Sequence, residues 1–295
     1  MGDDRQRACA SDLLRRPPIG SFQRARRATT ALIATLVVVS AAQADARGAQ
    51  PLRLTAAFDR DAVLGSTTPL HLGLRVDLRS RPSPVARIAM RYPRSLGVTT
   101  SGLGLAACHR TLAEFTEVVI DGLGLAGCPR NSVMARGRAL GEVRLGGEPV
   151  FREEGTVTVL AGPIHEGRMG LVGMVDGLHP VGAKLVYEGQ VLPAAWPYGG
   201  ALTIGVRQLP ARYEAEIALD AITFSVGSDD ILYHERVGGR TVAYRPGGLL
   251  LPDRCPRGGF PFDAAVTFLD GGHERAAVRV PCPRRRGRSP AAADG

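Results

Sequence analysis

Lysine is almost missing from this chain: of 37 basic residues only Lys184 is lysine, and all the others are arginine. The skew reads as a bias of coding composition rather than as a binding function. Aromatic residues are sparse at 5%, with a single tryptophan, Trp196. No Cys-x-x-Cys is present, which excludes a dithiol redox motif and the usual paired-cysteine zinc site. No G-x-S-x-G is present, which excludes a nucleophile elbow. His-Glu occurs at His165, His234 and His273, but the positions four residues on are Met169, Gly238 and Ala277, so no H-E-x-x-H zinc site forms. Sustained 3.6-residue periodicity is absent as well. Gly (37) and Pro (21) are abundant instead, which points to many short strands joined by turns.

There is also no apolar run of about 20 residues, the length a spanning helix needs. The best stretch, Ala31–Val39 extended by Ser40-Ala41-Ala42, follows seven arginines and precedes Ala44-Asp45-Ala46. A basic start, a short apolar centre and a small-x-small site read as a signal peptide cut after Ala46. Arg26-Arg27 sits in a poor context for twin-arginine export, so ordinary secretion is expected. The mature chain is expected outside the cytoplasm, with no transmembrane anchor.

The formal charge of +9 sits mostly at the ends. Residues 1–46 hold seven Arg and four Asp, and residues 284–295 hold four Arg and one Asp. Each end therefore carries +3, which leaves +3 on residues 47–283. No basic stripe interleaved with aromatics remains there, so a nucleic-acid partner is not expected. The tail, starting Arg284-Arg285-Arg286, reads as a solvated disordered end that also suits anionic envelope polymers.

Strand patterns carry the rest. Leu70, Leu72, Leu74, Val76 and Leu78 alternate with His71, Gly73, Arg75, Asp77 and Arg79, the mark of a strand with one buried and one wet face. Ile88, Met90 and Tyr92 alternate up to Pro93, and Leu202, Ile204 and Val206 alternate later. Ile217 and Leu219 share one phase and Ile222, Phe224 and Val226 the other, which predicts a bulge near Asp220-Ala221. Phe262–Phe268 and Ala276–Val280 flank Asp270-Gly271-Gly272 and predict a hairpin. The one candidate helix is short, Arg110–Phe115, and would depend on packing.

Beyond Cys9 in the leader, four cysteines remain: Cys108, Cys128, Cys255 and Cys282. An even number in an exported chain favours disulfides. Four cysteines allow three pairings. Ser101-Gly-Leu-Gly-Leu-Ala-Ala-Cys108-His-Arg110 is echoed by Asp121-Gly-Leu-Gly-Leu-Ala-Gly-Cys128-Pro-Arg130, and equivalent strand ends would carry partner cysteines. Folding the last hairpin about Gly271 brings Cys282 towards Cys255. Cys108–Cys128 and Cys255–Cys282 are therefore the expected pairs. Gly122-Leu-Gly124-Leu-Ala-Gly127 matches a dinucleotide fingerprint literally, but Cys128-Pro129 stands where a helix should open and no βαβ alternation surrounds it. No cofactor is expected.

Trp196 and Tyr198, in Ala-Trp-Pro-Tyr, would share a face in an extended segment and are the candidate ligand face for a polysaccharide. Glu153-Glu154 and Asp229-Asp230 are the acidic pairs that a glycosidase-like reading would use.

Leu103-Gly-Leu-Ala-Ala-Cys108, then Cys128-Pro-Arg-Asn-Ser132 running into Ala135-Arg-Gly-Arg-Ala139, resembles a group of secreted actinobacterial proteins of unknown function. Cys255-Pro through Phe268-Leu-Asp-Gly271 to Cys282-Pro283 adds to the likeness, which spans about Val85 to Pro283. The resemblance implies export and a β-rich body, and it transfers no catalytic residue.

The sequence thus predicts an all-β protein. A signal peptide (1–46) precedes an antiparallel β-sandwich (47–283) with a candidate sub-boundary near Gly146-Gly147, and a basic tail (284–295) follows. The function expected is a disulfide-stabilised, non-catalytic structural or interaction protein of the envelope. Its partners would be envelope polymers or another surface protein. A polysaccharide-binding module and a carboxylate-pair hydrolase are the alternatives. No metal or catalytic residue is assigned.

Overall fold

The computed structural model describes residues 51–98, 103, 106–109, 128–182, 184–209 and 214–283. The leader, the tail and the expected helix at Arg110–Phe115 lie outside the described residues. Among the described residues the first strands are β1 (Leu52–Phe58), β2 (Thr67–Thr68), β3 (Leu70–Val76), β4 (Val85–Pro93) and β5 (Gly97–Val98). A 3-10 turn at Arg130–Ser132 leads into β6 (Val133–Leu145), β7 (Glu148–His165), β8 (Arg168–His179), β9 (Lys184–Pro193), β10 (Tyr198–Gly205) and β11 (Ala215–Val226). The last are β12 (Tyr233–Val237), β13 (Arg240–Tyr244), β14 (Leu249–Leu250), β15 (Phe260–Phe268) and β16 (His273–Val280). No α-helix occurs among the described residues.

The fold is all-β and antiparallel, as the alternation predicts. Its layers come from a single eleven-stranded sheet in the order β1-β3-β11-β6-β7-β8-β9-β10-β4-β15-β16. The two edge strands, β1 and β16, lie beside each other without a hydrogen-bonded ladder, so the sheet curls into a nearly closed barrel. β2, β14 and β5 form a small separate sheet. The expected bulge appears as a register shift between Leu219 and Ala221 in the β11–β6 ladder. The expected hairpin pairs Phe260 with Val280 through Thr267 with His273. Gly271 turns it with φ 82°, a value that suits glycine. Gly146 and Gly147 form the turn of the β6–β7 hairpin.

Alternation assigns the two faces. Exposed strand positions carry Arg53, His71, Arg75, Arg136, Arg138 and Arg275, so the outside of the barrel is wetted. A lipid-facing barrel shows the reverse pattern. Among the described residues no helix is long and apolar enough to cross a membrane. The inside holds the main core, with Leu52, Leu54, Val85, Phe260, Phe262 and Phe268 all buried. Phe58 meets Phe260 edge-on at 5.1 Å, joining the two sides of the unpaired seam.

A second, smaller core lies outside the barrel wall. β12 and β13 cover the outer faces of β7 and β8, where Leu160, Val172 and Met174 pack against Tyr233 and Ile231. The Tyr233 hydroxyl donates to the Val133 carbonyl at 2.6 Å. Both faces of β7 are therefore buried along Val159–Ala161, which explains the apolar Val-Leu-Ala run there.

Candidate functional site: an apolar cavity inside the barrel

Side chains fill the interior of an eight-stranded barrel, and the diameter grows with strand number. Eleven strands leave room, and the sequence does not fill it. Inward positions on β1, β3, β4 and β15 carry Leu, Val, Ile, Met and Phe. Across the barrel, Gly141 of β6, Gly155 of β7 and Gly173 and Gly177 of β8 line the interior instead. The result is a cavity of about 330 Å³. That is within the roughly 300–1,000 Å³ range of small-molecule sites, which are typically apolar with a few placed polar groups.

The two ends of the barrel line the cavity differently, and the ion-paired Arg91 and Asp263 lie towards the disulfide end. Leu96, Val98, Leu103 and Leu249 line the end where the small β2-β14-β5 sheet and both disulfides sit. Glu153, Arg207 and Gln208 line the other end. Gln208 is committed there: its Nε2 donates to the Val85 carbonyl at 3.1 Å, and its Oε1 accepts from the Ile217 N–H at 3.4 Å. Glu153 is held through Oε2, which accepts from the Val181 N–H at 3.0 Å. Its other oxygen, Oε1, is buried and has no partner among the described residues. Tyr92 and Tyr187 also line the cavity. Burial pushes both phenols above the usual tyrosine range, so they present neutral hydroxyls.

The disulfides are the expected ones, Cys108–Cys128 and Cys255–Cys282, with Cα atoms 4.8 and 5.8 Å apart. Cys108 is buried under the outer core, and its N–H donates to the Ala161 carbonyl at 2.7 Å.

Trp196 stands 84% exposed in the β9–β10 turn. Tyr198 is half-buried, with the Arg91 guanidinium 4.4 Å from its ring centre. No ring contact joins Trp196 to Tyr198 among the described residues. Glu153 and Glu154 are consecutive on β7 and so point to opposite faces. Asp230 accepts from the Ser228 hydroxyl and lies 3.9 Å from Arg136, in the segment between β11 and β12. The three His-Glu pairs fall on the β7 end, on β12 and on β16. Among the described residues no three His, Cys, Asp or Glu side chains come together as a metal site.

One constellation carried no sequence signal. Register places Ser225 of β11 beside His71 of β3. His71 Nδ1 lies 2.6 Å from Ser225 Oγ, and its Nε2 lies 2.5 Å from Asp59 Oδ1. Arg136 and Arg138 line the same shallow outer groove. The residues are 154 and 12 positions apart, so only the ladder brings them together.

No protein-family model, curated protein or solved structure matches the chain.

Proposed function

We propose that this chain is an exported, disulfide-braced, non-catalytic binding protein of the cell envelope that carries one small apolar ligand inside its barrel. The cavity is the observation that carries the reading. It is lined mainly by Leu, Ile, Val and Met, and four inward glycines keep it open. The signal-like start and the two cross-links support export.

A fluorescent apolar probe, N-phenyl-1-naphthylamine, tests the reading. Titration is expected to saturate at one equivalent. A Cβ at Gly173 would sit 3.8 Å from the Tyr187 Cβ, an ordinary contact, so Gly173→Leu starts without a clash on the cavity wall. We expect it to weaken probe binding at least about tenfold without lowering the melting temperature. Gly205→Leu, on the exposed face, is expected to change nothing. Equal binding by wild type and Gly173→Leu sinks the reading.

A second reading rests on the Ser225–His71–Asp59 row, which has the Ser–His–Asp order of a serine acyl-transfer site with the two imidazole nitrogens exchanged, Nδ1 facing Ser225 and Nε2 facing Asp59. The flanking ladders consume the backbone N–H groups beside Ser225, so the oxyanion donors would have to be Arg136 and Arg138. Covalent labelling of Ser225 by a fluorophosphonate, lost in His71→Ala, is what this reading predicts. An unlabelled serine leaves the row as a structural link between strands.

A further inference from the structure

We infer that the cavity's ligand carries a hydrogen-bond donor head group, a hydroxyl or an ammonium, seated on Oε1 of Glu153, with its apolar body running towards the disulfide end. The inference rests on the cavity reading above and adds the ligand's polarity and direction.

A buried carboxylate oxygen without a donor is costly, because its lost hydration is not replaced. Among the described residues Glu153 Oε1 is in that state, while Oε2 of the same carboxylate is fixed by the Val181 N–H. The carboxylate is thus held in place with one acceptor site unclaimed. Among the described residues every other charged or amide group lining the cavity is committed or solvated. Arg91 places Nε and one terminal nitrogen 2.8 and 2.6 Å from Asp263 Oδ1. Gln208 bridges β4 and β11 through both ends of its amide. Arg207 is exposed to solvent. The tyrosines contribute neutral hydroxyls. An anionic head would therefore meet Glu153 with like charge, whereas a donor head completes it. The opposite end offers Leu96, Leu103 and Leu249 to an apolar body.

Decanol, decylamine and decanoate share one chain length and differ only in the head group. Displacement of N-phenyl-1-naphthylamine at pH 8 compares them on the full disulfide-bonded protein. Wild type is expected to bind decanol and decylamine at least about tenfold more tightly than decanoate. Glu153→Leu is expected to erase that preference while still binding the probe. Glu153→Gln keeps an oxygen for the Val181 N–H. It guards against a folding defect and is expected to weaken decylamine more than decanol. If all three compounds bind equally, or decanoate binds best, the head-group inference is overturned and the cavity reading stands. If neither the probe nor any of the three binds, both fall.

Discussion

Phe260→Ala is expected to lower the unfolding free energy by about 3–5 kcal/mol, the range for truncating a buried Phe. Phe260 is 0% exposed and sits where the sheet's two edges meet. Elsewhere around the barrel a ladder of backbone hydrogen bonds joins neighbours. At the β1–β16 seam there is none, and side-chain packing takes its place. Phe58 of β1 touches Phe260 at 5.1 Å and Phe262 at 6.4 Å, both edge-on, from across the gap. Truncation would leave a void and unfasten the seam together. Urea denaturation measures the effect: the midpoint should fall sharply while the slope stays near the wild-type value. A loss below about 1 kcal/mol would mean that packing does not hold the seam shut.

Removing Cys255–Cys282 by paired substitution to alanine is expected to cost about 3–4 kcal/mol, and removing Cys108–Cys128 about 3 kcal/mol. The first closes a separation of 27 residues and the second one of 20, so the chain-entropy cost relieved in the unfolded state is similar. Their structural duties differ. Cys255–Cys282 ties the approach to β15 to the end of β16 and so braces the seam strand. Cys108–Cys128 packs against Leu160 and Val133 and braces the outer core. Against a net stability of about 5–15 kcal/mol for an ordinary domain, either loss is large. Denaturation of each variant, and of wild type with and without reductant, measures it. Coincident midpoints in all samples would show that the links add nothing.

The parts of the fold legible in the sequence were those written in a two-residue period or in turn chemistry. Leu70–Val76 read as a strand because its Leu and Val share one face. The phase change between Leu219 and Ile222 located the bulge, and Asp270-Gly271 located the hairpin that brings Cys282 near Cys255. Alternation says which residues face inward but not which strands become neighbours, so curling into one sheet could not be read. The cavity was hidden for a further reason: it is made by absent side chains. Gly141, Gly155, Gly173 and Gly177 look like turn residues in a glycine-rich chain and become a wall only when β6, β7 and β8 lie side by side. Glu153 and Glu154 stand side by side in the sequence, although the strand's own alternation separates them. Ser225, His71 and Asp59 needed the ladder register before they could meet.

Diffraction from crystals of the disulfide-bonded protein soaked with a bromine-tagged long-chain alcohol tests the central claim most directly. The account predicts one anomalous peak inside the barrel, beside Leu96 and Leu249, with the hydroxyl oxygen within hydrogen-bonding distance of Glu153. A peak confined to the outer surface, or an interior whose density matches that of unsoaked crystals, would contradict it.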